Sequence, residues 1–186
     1  LGKMLGVTAI GRRGVSEGPS RRKRGGWTFE PECDFALFVA GGKNAMRVEF
    51  HGLQFELPQG WEDITDDLDD KWPPTLAGPA GVGALQFSVG RYKSGKLPNI
   101  IIGDLREMLA NFCANLPHEF DEPVERAGPV NAVGCAAHGP EQLVAVWLLS
   151  NGRDVTLATY TSLSPEDPET GVELRQARQL VESIEF

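Results

Sequence analysis

Histidine and cysteine are scarce in this 186-residue chain, three of each, and that scarcity narrows its chemistry. Cys33, Cys113 and Cys135 are odd in number, widely spaced and without a CxxC pair, so neither a disulfide framework nor a zinc-ribbon spacing is expected. They read as thiols of a reducing cytoplasm. Cys113 with His118, or Cys135 with His138, would supply two metal ligands at a time, and His51 stands apart. No metal and no cofactor are expected, and both cysteines read as buried structural thiols.

Long apolar runs are also missing. The runs Phe35 to Ala40 and Leu143 to Leu149 fall far short of the roughly 20 residues a membrane helix needs, so no membrane insertion is expected. Glu30, Glu32 and Asp34 sit where a signal peptide should lack acids, and Arg12-Arg13 has no apolar region to complete an export signal.

Catalytic motifs are absent in the same way. Ser88, Ser94, Ser150 and Ser162 lack a Gly-x-Ser-x-Gly elbow, and Gly78-Pro-Ala-Gly-Val-Gly83 lacks the Lys-Ser/Thr of a phosphate loop. The chain is expected not to be an enzyme.

What is present divides into two unlike parts. Residues 1–45 carry 8 Lys or Arg against 4 Asp or Glu, whereas residues 46–186 carry 10 against 22. The first part, with Arg21-Arg-Lys-Arg24 and the pairs Gly25-Gly26 and Gly41-Gly42, reads as a disordered basic leader, and Met46 as the native start of translation. A short basic run without interleaved aromatics is a poor nucleic-acid site, so no nucleic-acid partner is expected. The acidic part holds one dense patch, Asp63, Asp66, Asp67, Asp69 and Asp70. With Leu68 and Pro74 at the sixth and twelfth positions from Asp63 it is no EF-hand, and it reads as a solvated loop or a landing patch for a basic partner.

From Met46 the hydrophobic pattern is orderly. Val48, Phe50, Leu53, Phe55 and Leu57 alternate with polar residues around His51-Gly52, predicting a hairpin. Trp61 is expected to fold over the core edge, and the prolines at 73, 74 and 79 exclude a helix there. A strand is expected over 84–92, with Leu85, Phe87 and Val89 on one side. Ile101, Leu105, Met108, Leu109, Phe112 and Leu116 predict a helix between Pro98 and Pro117. One or two irregular strands are expected over 124–137, and a last helix over 168–183 with Leu174, Ala177, Val181 and Ile184 on its stripe.

Asn151-Gly152 between two apolar runs predicts a type I′ hairpin, with Ser150 opposite Arg153 and Leu148 opposite Val155. That register places Val144, Val146, Leu148, Val155 and Leu157 on one face, and Ala145, Trp147, Thr156, Ala158 and Tyr160 on the other. The expected fold is α+β, a twisted, mainly antiparallel sheet with helices packed on the Val146 face and the Trp147 face partly open. The candidate protein-binding residues are then Trp147 and Tyr160 as aromatic anchors among Gln86, Ser88, Thr156 and Ala158.

Phe55-Glu-Leu-Pro-Gln-Gly-Trp61, Asp63-Ile-Thr65, Leu85-Gln-Phe-Ser-Val89, Asp104-Leu-Arg-Glu-Met-Leu109 and a closing strand pair before a last helix together resemble the PsbP/Mog-like superfamily over residues 46–186. They also look like its bacterial branch of DcrB-related and Eag-type proteins. The resemblance implies binding of another protein, as an adaptor or chaperone linked to secretion effectors. Two rivals stay open: an immunity protein whose acidic surface meets a basic toxin, and a small-ligand enzyme or carrier with a pocket near Trp61 and Trp72.

Overall fold

The computed structural model describes residues 45–69 and 71–186; the expectations for residues 1–44 and for Asp70 fall outside that range. The alternating segments after Ala45 form β1 (Ala45–Phe50) and β2 (Leu53–Pro58), paired from Phe50↔Leu53. Their two-residue turn places His51 and Gly52 at φ 49 and 80, the left-handed pair that a type I′ hairpin needs.

The elements that follow are β3 (Glu62–Asp63), β4 (Thr75–Ala77), β5 (Gly83–Gly90), α1 (Ile102–Cys113), β6 (Val124–Arg126), β7 (Asn131–His138), β8 (Leu143–Ser150), β9 (Val155–Ser162) and α2 (Pro168–Glu182). Strands β3 to β9 form one antiparallel sheet in the order β3-β4-β5-β9-β8-β7-β6. β3 and β4 arise in the proline-rich acidic stretch where the sequence gives no alternation. β4 is held by pairing to β5, which the backbone extends when Phe87 N–H donates to the Pro74 carbonyl at 2.9 Å, and β3 is held in turn by pairing to β4.

Both helices start where the chain supplies an acceptor. At α1 the Asp104 carboxylate accepts the Ile101 N–H at 2.9 Å. At α2 Asp167 accepts the Glu169 N–H at 2.9 Å, with Pro168 in the first turn.

The β8–β9 connection differs from the expected two-residue turn. Ser150 pairs with Val155, Leu148 with Leu157 and Trp147 with Ala158, so the loop is four residues, 151–154. Asn151 Oδ1 accepts the N–H groups of both Arg153 and Asp154, at 3.0 and 2.9 Å, an Asx turn that competes with the tight hairpin. The register moves by two positions. Because side chains alternate with period two, the partition into two faces survives the shift.

The cover on those faces differs as well. α1 packs on β7 and β8, with Leu105 and Leu109 against Val133, Cys135, Val144, Val146 and Leu148. α2 lies on the opposite face with the β1–β2 hairpin, where Ala177, Leu180, Val181 and Ile184 join Phe50, Phe55, Trp61, Phe87, Trp147 and Tyr160. The class is α+β, and the sheet is the middle layer with one helix on each side. Leu85 and Phe87 share the Trp147 face, since Leu85 pairs with Tyr160 and Phe87 with Ala158. Glu173, an acid that its charge alone would leave in solvent, is fully buried.

Candidate functional site

Trp147, Tyr160, Thr156 and Ala158 do not form an open surface. Trp147 is 8% exposed and the other three 0%, because α2 and the hairpin seal that face. Gln86 and Ser88, expected beside them, lie on the opposite face, paired with Thr159 and Leu157. The expectation failed at the strand-to-strand register of β5 on β9, which local alternation does not specify. Trp61 does fold over the core: its ring is buried and Nε1 donates to Gln176 Oε1 at 2.9 Å.

The sealed face is held by a polar network. Glu173 Oε1 accepts the Ala80 N–H at 2.8 Å and Oε2 accepts the Tyr160 hydroxyl at 3.2 Å. A Cβ on Gly78 would run into the Glu173 carboxylate, and one on Gly83 into the Tyr160 hydroxyl, so the β4–β5 turn approaches only as glycine. Burial and the neighbouring Glu173 push the Tyr160 phenol well above the usual tyrosine range. Beside it, the Ser162 and Thr170 hydroxyls meet at 3.1 Å.

The incompletely covered surface is on the other face. A helix about 10 Å across spans roughly two strands spaced about 4.8 Å apart, and α1 occupies the part over β7 and β8. The neighbouring strands are left with Leu157, Thr159 and Thr161 of β9 and Ala84, Gln86 and Ser88 of β5 half-buried. These residues share one side of the sheet by register, with Ala84 opposite Thr161, Gln86 opposite Thr159 and Ser88 opposite Leu157.

α1 forms the wall of this surface. Arg106 pairs with Glu125 of β6, which fixes the flank of α1 that faces the β6 edge. Met108 and Ile101 fall on the other flank by helical spacing, the one adjoining β9, and are 41% and 56% exposed. The result is an uncharged floor of threonines, serine and glutamine beside an apolar wall. Sequence patterning assigned Ile101 and Met108 to the core stripe and passed over Thr159 and Thr161. The available signal was the alternation Leu157, Thr159, Thr161, a side of β9 too polar for a sealed core.

Electrostatics concentrates at the end of the β8–β9 hairpin. Asp154 is buried to 2% exposure, accepts the Tyr92 N–H at 2.8 Å and pairs with Arg153 at 3.0 Å. The Arg153 guanidinium first, then the Tyr92 N–H, hold its carboxyl below the usual aspartate range. Asp63, Asp66, Asp67 and Asp69 are exposed, and the Asp63 carboxylate caps the Thr65 N–H at 2.9 Å. Among the described residues no three His, Cys, Asp or Glu side chains converge on a metal-sized site. A groove of about 390 Å³ lies where Arg47, Glu56, Arg126 and Glu185 surround the end of α2; Arg47 pairs with Glu185, and Arg126 donates to the Glu182 carbonyl at 2.8 Å.

No family model matches the chain, and no curated protein does. Among solved structures, the cyanobacterial PsbP (CyanoP) from Synechocystis sp. PCC 6803 is similar with a TM-score of 0.50 at 15% identity, covering 79% of this chain and 95% of that one. The Ran-binding protein Mog1p of Saccharomyces cerevisiae is similar with a TM-score of 0.50 at 9% identity, covering 76% and 95%. The fold is that of PsbP and Mog1p, and at these identities the likeness concerns the fold alone.

Proposed function

We propose that this chain is a non-enzymatic protein-binding domain whose partner docks on the β5–β9 half of the sheet beside α1. The observation that carries this reading is the incomplete cover: Leu157, Thr159, Thr161, Gln86 and Ser88 stay half-buried next to exposed Met108 and Ile101. Uncharged floors with an apolar wall suit an extended or helical segment, which gains apolar contact along the wall and hydrogen bonds from the hydroxyls. The buried polar side chains Glu173, Asp154, Ser162 and Thr170 are engaged in hydrogen bonds within the fold, which favours binding over chemistry. The name of the Mog1p likeness, a Ran-binding protein, supports the reading by analogy of fold.

The narrower form of the proposal is an adaptor or chaperone that shields an apolar segment of a secreted effector, as in the DcrB-related and Eag-type branch. The excess of 22 Asp or Glu over 10 Lys or Arg in residues 46–186 would draw in a partner with basic flanks. Among the described residues no helix is long and apolar enough to cross a membrane.

Site-specific photo-crosslinking in the native host tests the surface. A crosslinker at Thr159 or Met108 should capture one common partner that a crosslinker at Gln179, exposed on α2, does not. Equal capture from both faces, or none from Thr159 and Met108, would sink the proposal.

A further inference from the structure

Cys113 and Cys135 are 22 positions apart in the chain, yet their sulfurs lie 3.4 Å apart across the α1–β7 contact. We propose that this pair is a reversible disulfide site, fastening the last turn of α1 to the middle of β7. The inference is independent of the partner-binding reading.

Three features of the fold bring the sulfurs together. Leu105 and Leu109 anchor α1 over β7 and β8, so the helix ends above Cys135. The chain beyond α1 returns alongside β7, where the Asp121 N–H donates to the Ala136 carbonyl at 2.8 Å. Cys113 is the final residue of α1, and its carbonyl accepts the Leu116 N–H at 3.0 Å in the turn that follows, which holds the thiol at the helix end. Bonded sulfurs sit about 2.05 Å apart, so closure needs an approach of roughly 1.4 Å, within reach of side-chain rotation at a helix end.

The two thiols differ in access, which gives the order of events. Cys113 is half-buried, whereas Cys135 is 8% exposed inside the sheet. A small-molecule disulfide such as oxidised glutathione is the oxidant. The Cys113 thiolate attacks one of its sulfurs, forming a mixed disulfide and expelling one glutathione thiolate. The Cys135 thiolate then attacks the Cys113 sulfur, forming the protein disulfide and expelling the second. The protein loses two protons and two electrons, and one glutathione disulfide becomes two thiols. Burial first, then the Cys113 thiol, hold Cys135 up at about 12.

The test uses the full chain, incubated with oxidised glutathione and then alkylated, digested and mapped by mass spectrometry. The expected product is a monomer with a peptide cross-linked between Cys113 and Cys135, Cys33 still alkylated, and a melting temperature higher by about 5 °C than the reduced chain. Dithiothreitol should reverse both changes. In Cys135→Ser the mixed disulfide should stall on Cys113 with glutathione attached. Alkylation of Cys113 and Cys135 after prolonged oxidation, a bond from either of them to Cys33, or an intermolecular dimer would each overturn the proposal.

Discussion

The Tyr160 hydroxyl donates to Glu173 across 3.2 Å in a part of the core where both residues are 0% exposed. The pair joins β9 to α2, and through the Ala80 N–H it also ties in the β4–β5 turn. Tyr160→Phe should cost about 1 to 2 kcal/mol, the scale of losing a buried hydrogen bond. Glu173→Ala should cost about 3 kcal/mol or more, because it orphans the Tyr160 hydroxyl and the Ala80 N–H together. Urea unfolding measures both, and equal small losses would show that the network carries little.

The same burial predicts behaviour in alkali. The folded pKa of Tyr160 is raised, so its contribution to stability is complete below the ordinary tyrosine value of about 10 and declines as pH rises beyond it. In a Tyr92→Phe background Tyr160 is the one tyrosine left. Its phenolate absorbance should then appear together with unfolding, and a phenolate signal in the folded protein near pH ~10 would contradict this.

At the acid end the relevant group is Asp154, whose folded pKa is lowered by Arg153 and the Tyr92 N–H. Its stabilisation is fully present above the ordinary aspartate value of about 3.9 and is lost as pH falls through the lowered folded pKa. Asp154→Asn should therefore destabilise the protein at neutral pH, and the gap from wild type should shrink on acidification below pH ~4. Urea midpoints taken across the acid range read this directly; a gap independent of pH would assign the effect to packing.

Thr156 Oγ1 is buried and has no hydrogen-bond partner among the described residues. Thr156→Val replaces that hydroxyl with a methyl of similar size and should stabilise the protein by about 1 kcal/mol. A loss of stability in thermal unfolding would reveal a partner the hydroxyl does have.

Trp147 and Met108 separate core from surface. Trp147 packs so closely on Gly134 of β7 that a Cβ there would strike its indole ring, and Trp147→Ala should cost about 3 to 5 kcal/mol. Met108→Asp, on the exposed flank of α1, should leave the melting temperature within about 2 °C and reduce partner binding at least about 10-fold. Preserved binding in Met108→Asp with a lowered melting temperature would place Met108 in the core.

Sequence alone determined most of the local elements, though not β3 and β4, and the two sides of the central hairpin. Leu105 and Leu109 mark α1 by helical spacing, and Val146 and Trp147 part company because adjacent strand residues point to opposite faces whatever the turn. A two-residue slip in the β8–β9 register leaves that partition intact, so the wrong turn still gave the right faces. Which face is sealed is a different kind of fact. It depends on where α2 and the β1–β2 hairpin dock, and that depends on apolar area shared among segments far apart in the chain, Phe55 with Tyr160 and Leu180, to which periodicity is blind. Glu173 reads as solvated on its own helix and is buried because the Tyr160 hydroxyl and Ala80 N–H, distant in the chain, arrive to satisfy it. The approach of Cys113 to Cys135 is of the same origin: spacing in the chain says nothing about two sulfurs that only the packing of α1 on β7 brings into contact.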